Sequence, residues 1–241
     1  MKILDDLLST LKKEAIVRDI RQGTFQTAVL TNSCGLASTP HDHGHHQQEA
    51  PVKEAGVLMI GRTALELARM AYSSSLLEAA IGMATINSLL EVDERRCLTL
   101  NASNLLAEKG RGKKVAIIGH FPFVPELRQV VRRLWVIEQH PQEGDFAETE
   151  AKSLVPQADV VGITGTAFTN HTIEYLLGLC RPEAYVVILG GTAPLSPVLF
   201  DYGVDAISGT KVVDIEATLQ CVSQGATFRQ MKGIRLLTMK R

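Results

Sequence analysis

From Lys113 onward the chain alternates short, wholly apolar runs with helical stretches, and no other feature restricts its fold as tightly. Val115–Ile118, Leu134–Glu138, Asp159–Thr164, Tyr185–Leu189 and Val204–Ile207 read as strands buried on both faces. Helices are expected at 125–133, 146–154, 171–179 and 214–224. A short one opens at Ser196-Pro197, an N-cap with proline behind it, and stops at Gly203. The tail, Phe228–Met231 and Ile234–Met239 around Lys232-Gly233, reads as a hairpin. The alternation predicts a Rossmann-like, doubly wound parallel sheet over 109–241, closed by a C-terminal hairpin.

Open parallel sheets bind ligands beyond the carboxyl ends of their strands. Here those ends carry unusual residues. The first is Gly119-His120-Phe121-Pro122, and the second is Glu138 with Gly144 and Asp145 downstream. The others are Thr164-Gly165-Thr166, Gly190-Gly191-Thr192 and Ser208-Gly209-Thr210. Glycines let backbone N–H groups approach a ligand, and the hydroxyls of Thr164, Thr166, Thr192 and Ser208 add donors. Together they predict a pocket for a small polar or anionic ligand.

Glu138 lies where a dinucleotide fold places its ribose-binding acid, and it serves equally well as a solvated strand-end carboxylate. No G-x-G-x-x-G is present, and Phe121-Pro122-Phe123 puts bulk where a pyrophosphate needs bare backbone, which argues against NAD and FAD. His120 is the candidate acid/base or metal ligand. Its alternative is a ring packed against Phe121.

The first half is expected to form a small α+β domain, residues 1–108. Apolar spacing from Ile3 to Ile16 predicts a helix over 3–20, and Thr24–Thr31 reads as a strand. Residues 32–55 read as irregular, and capping-box patterns at Thr63 and Ser75 open two helices. Glu78, Gly82 and Thr85 share one helical stripe. Gly82 there points to close backbone packing, and Glu78 fits a cap as well as a ligand contact.

The irregular stretch holds His41, His43, His45 and His46, four histidines in six residues. Neutral imidazoles suit Zn, Ni, Cu, Co or Fe, and Asp42 or Cys34 offers a further donor. The competing reading is a polar loop that takes up metal adventitiously.

Net charge is −1 and no basic stripe is present, so nucleic acid is not an expected partner. No apolar run is long enough for a membrane span, and acids at Asp5 and Asp6 interrupt any leader. Scattered cysteines without CxxC pairs read as reduced, giving an expectation of a cytoplasmic protein, with a homodimer on general frequency.

The motifs resemble those of a family described as putative heavy-metal chelation, which joins an enolase N-terminal-like domain to a Rossmann-like domain. The matching residues are Glu78–Asn87, Gly112–Val115, Gly119–Pro122 and Glu143-Gly144-Asp145. Asp159-Val160-Val161, Thr164-Gly165-Thr166 and Gly190–Phe200 complete them. The resemblance covers most of residues 24–215 and implies a ligand site between the domains. It also raises Glu78 and Asn87 as polar groups facing that cleft. The expected function is binding of a small polar, anionic or metal-containing ligand, in heavy-metal handling or metal-cofactor assembly. The alternative is an enzyme using His120 on a small anionic substrate.

Overall fold

In the computed structural model, which describes residues 1–11, 15–40, 52 and 59–241, the apolar runs become strands of an eight-stranded sheet. In chain order these are β4 (Cys97–Leu98), β5 (Lys114–Ile118), β6 (Arg133–Glu138), β7 (Phe146–Ala147) and β8 (Val160–Thr164). β9 (Tyr185–Leu189), β10 (Ala206–Val212) and β11 (Ile234–Lys240) follow. The spatial order is β4-β11-β10-β9-β8-β5-β6-β7. Strands β5 to β10 run parallel, and order reverses between β5 and β8, which places a crevice at their carboxyl ends.

Alternate residues of each strand enter different layers. Val115, Ile117, Leu134 and Val136 pack with Leu105, Leu106 and Leu127 of α4 (Ala102–Gly110) and α5 (Val124–Val130). Ala116, Trp135, Ile137 and Ile163 pack with Ala151 of α6 (Ala151–Leu154), Phe168 of α7 (Thr166–Thr169) and Leu176 of α8 (Ile173–Leu179). A sheet covered on both faces requires such unbroken apolar strands.

The first half builds a three-stranded antiparallel sheet, β1 (Asp19–Gln22), β2 (Gln26–Leu30) and β3 (Cys34–Ser38). Its Val29 and Ala37 share a core with α3 (Leu76–Leu89), which packs beside α2 (Ala64–Ala68). Ala28, Cys34 and Leu36 meet Leu219 and Val222 of α9 (Ile215–Ser223). Helix α1 (Lys2–Ser9) crosses to the larger sheet's layer, where Ile3 N–H donates to Glu174 Oε1 at 2.8 Å.

Several local expectations are corrected. The helix over 3–20 ends at Ser9, and residues 19–22 form β1, because pairing with β2 satisfies their backbone. Residues 34–38 are a strand rather than irregular chain. Gly35 there lies so close to α3 that a Cβ would meet Ala84 O at 2.1 Å. Residues 146–154 split into β7, a 3-10 turn and α6. The C-terminal antiparallel pair forms between β10 and β11, since Phe228–Gln230 is a 3-10 turn. That pairing also carries β10 to Val212, past its last contact with β9 at Ser208, so Ser208-Gly209-Thr210 lie within a strand rather than beyond one. Strand β4 pairs with β11, and α4 packs on β8 and β9. No described helix is long and apolar enough to cross a membrane.

Candidate functional site

Two cavities open at the carboxyl edge of the large sheet. The larger, about 900 Å³, is walled on one side by Thr164-Gly165-Thr166, Gly190-Gly191-Thr192, Ser208 and Gly209. Much of the remaining lining is apolar, with Leu100, Phe121, Phe123, Leu127, Phe228 and Leu236 among its members. Glu126 and Arg229 are the charged lining groups, and Ser38 of β3 is the contribution of the three-stranded sheet.

The polar wall is built by close backbone approach. A Cβ on Gly165 would meet Ala193 N at 2.4 Å, so only glycine lets the β8 and β9 loops touch. Gly190 has φ 113°, a conformation costly for other residues. Within the described residues the N–H groups of Gly191 and Thr192 have no acceptor, which leaves them for a ligand. The Thr164 and Thr166 hydroxyls lie 3.0 Å apart. Ser208 is spoken for. The Thr238 hydroxyl donates to Leu100 O at 2.8 Å, so the 2.8 Å contact between Ser208 Oγ and Thr238 Oγ1 uses the serine's proton.

The smaller cavity, about 250 Å³, is lined by Gly119, His120, Phe121, Glu138, Glu148, Thr164, Thr166, Asn170 and Thr172, among others. Its deeper members, Ile137, Ala151, Ala167 and Leu176, belong to the α6–α8 layer, whereas Leu127 and Leu189 of the larger cavity belong to the α4–α5 layer. The cavities therefore flank the sheet edge from opposite sides, sharing Phe121, Thr164 and Thr166.

Gly119, with φ 104°, turns the chain out of β5. His120 N–H then donates to Glu138 Oε1 at 2.7 Å, and Gln139 N–H to Glu138 Oε2 at 2.9 Å. Glu138 thus holds the backbone of its own turn and the neighbouring one. His120 Nδ1 lies 2.8 Å from Asp145 Oδ2. Asp145 follows Gly144, whose φ is 87°, and also accepts from Gln142 N–H at 3.2 Å.

Four expected ligand contacts, Glu78, Asn87, Gly144 and Asp145, line neither cavity. Glu78 sits at the start of α3, where Ser73 Oγ donates to its Oε2 at 2.5 Å and its N–H meets the Ser75 cap. Asn87 Nδ2 reaches Leu36 O at 2.8 Å and Thr192 O at 3.2 Å, tying β3 and α3 to the β9 loop. Asp145 meets His120 rather than either cavity wall. His41, His43, His45 and His46 lie outside the described residues. Cys34 is buried beneath α9, and burial pushes its thiol up to about 12.

The sequence reading missed α4, which supplies Ala102, Asn104 and Ala107 to the larger cavity. Asn101, whose side chain caps Ser103 N–H at 3.2 Å, was the available signal for its start. It also missed the Phe228–Met231 wall, because the hairpin reading placed those residues in a strand.

Among the described residues no three His, Cys, Asp or Glu side chains cluster as a metal would need. The larger cavity supplies hydroxyls, backbone groups, the Asn101 and Asn104 amides, the Met231 thioether and a single carboxylate, with no His or Cys, a donor set that does not fit a bare transition metal held by the chain.

A strand-end cavity on a doubly wound sheet, with a small α+β unit docked at its rim, defines an α/β protein with room for a small organic ligand. The chain belongs to the family described as putative heavy-metal chelation: the DUF364 model matches residues 101–240 and the DUF4213 model, described in the same words, residues 4–90. An uncharacterised protein of Methanocaldococcus jannaschii is 26% identical over 183 residues, 73% of this chain and 71% of its own. A DUF364 protein of unknown function from Desulfitobacterium hafniense shares the fold at TM-score 0.88 and 24% identity, covering 100% of this chain and 98% of its own. One from Pyrococcus horikoshii does so at TM-score 0.84 and 21% identity, covering 99% and 100%.

Proposed function

We propose that the larger cavity binds a small, anionic organic chelate that carries its metal as cargo. The observation that supports this is the cavity's mixed lining, in which free Gly191 and Thr192 N–H groups and threonine hydroxyls sit beside apolar surface. Backbone N–H groups favour an anion, while Phe121, Phe228 and Leu236 bury an apolar body. The family description points to heavy metal, and the lining's donor set is poor in metal ligands, so the metal arrives already coordinated. A role in heavy-metal handling or metal-cofactor assembly follows from such a cargo.

The test uses Fe(III)–2,3-dihydroxybenzoate as an anionic aromatic probe. It raises the Tm of the wild type and has no effect on Ala107→Trp, which fills the cavity from α4. A rise produced equally by Fe(III) alone, and lost when His41, His43, His45 and His46 become alanine, would place metal binding in the histidine tract instead.

A second reading, acid/base chemistry at His120, rests on the His120–Asp145 contact in the smaller cavity.

A further inference from the structure

The smaller cavity has a chemistry of its own, different from that of the larger one. The Asp145 side chain is 2% exposed and the His120 side chain 32% exposed, so a buried carboxylate backs an accessible imidazole. A solvated surface pair would expose both partners. Asp145 as a carboxylate can only accept, so Nδ1 carries the proton of the contact. Nε2 then carries the lone pair of the neutral ring, and within the described residues it has no partner. Glu138 fixes the same residue through its backbone N–H, and Gly119 fixes the turn. The ring is thus held from its backbone and from one nitrogen, with the other nitrogen left over.

The rest of the lining sets what can approach. It contains Glu138, Glu148, Asn170, Thr164, Thr166 and Thr172, with no Lys or Arg among the described lining residues. An anion entering would meet carboxylates and no cation. An amine or a neutral hydroxyl compound would meet acceptors.

We infer that His120 Nε2 is a proton acceptor for a small amine-bearing substrate group, and that Asp145 is its positioning residue. This rests on the acid/base reading of the smaller cavity and replaces the anionic substrate of that reading with a cationic or neutral one. In the step, one N–H proton of an ammonium group moves to Nε2, leaving a neutral amine and an imidazolium. Asp145 stays a carboxylate, still accepting from Nδ1–H. The cavity's volume of about 250 Å³ admits only a small group, so the body of a larger substrate has to remain outside it.

The test is imidazole ¹⁵N NMR on the full chain, with the His120 signals identified by their loss in His120→Gln. In the wild type His120 shows the Nδ1–H tautomer at high pH, and putrescine shifts its Nε2 resonance saturably while malonate does not. Asp145→Ala loses the single tautomer. Ala107→Trp keeps both responses, because it blocks only the other cavity, so this inference and the chelate reading fail separately. A wild-type ring in the Nε2–H form, or one unchanged in Asp145→Ala, overturns the positioning role. A response to malonate instead of putrescine, or to neither, overturns the substrate class. The wild-type tautomer and the two titrations need only the His120→Gln assignment, so the inference stays testable if Asp145→Ala fails to fold.

Discussion

Ser38 N–H donates to Thr192 Oγ1 at 2.8 Å, and this bond fastens the first sheet to the strand-end loop that walls the larger cavity. Asn87 reinforces it from α3 through Thr192 O. The small unit therefore shapes the site by holding the β9 loop, with Ser38 its described contribution to the lining.

Asn87→Ala removes two donated hydrogen bonds at this seam and is expected to cost about 1–2 kcal/mol. Asn87→Asp is expected to cost more, because it replaces a buried amide oxygen that has no partner among the described residues with a charge facing two carbonyls. Thermal unfolding of both variants gives the order, and equal losses would contradict the seam geometry.

Gly82→Ala should be severe for its size. Its Cβ would meet Ala71 N at 2.0 Å, and that atom is backbone. Overpacking of this kind costs about 3 kcal/mol, a fall in Tm of roughly 6–12 °C. An unchanged Tm would mean that α3 and the 69–72 turn are less closely packed than described.

Asp159 gives a pH signature. The Lys114 N–H and then the Arg181 guanidinium hold its carboxyl below the usual aspartate range. A depressed folded value contributes stability above the unfolded value of about 3.9, lost as pH falls through the folded one. Asp159→Asn should therefore lower Tm at pH 7, with the gap from wild type closing as pH drops below about 4. A gap that persists or widens in acid would contradict the account.

Burial pushes the Cys34 and Cys180 thiols up to about 12. Both should resist a disulfide exchange reagent at pH 8 in the native protein and react once it unfolds. Mass spectrometry of the native protein after brief labelling reads this directly, and early modification of either cysteine would refute it.

The parallel sheet was legible because strands buried on both faces must be apolar throughout, as Val115–Ile118 and Tyr185–Leu189 are. The Gly/Thr loops were legible because close backbone approach demands glycine, as at Gly165. Less visible were elements whose identity comes from distant partners. β3, with its small residues Gly35 and Ala37, is a strand because α3 presses on it, and β10 extends to Val212 because β11 arrives after a whole helix. The site divided along the same line. Spacing alone put His120, Glu138 and Thr164 at one edge and marked Glu78 as a capping residue, but it carried no sign that Asp145 belongs to His120, or that Asn87 serves a seam.

The metal of a bound chelate sits either in the larger cavity or on the histidine tract. Anomalous diffraction from crystals soaked in Fe(III)–2,3-dihydroxybenzoate locates the iron. An iron peak inside the larger cavity, between the Thr164–Thr166 and Gly190–Thr192 loops and Phe228, is the predicted result. Iron bound only through histidine side chains, with that cavity vacant, would contradict it.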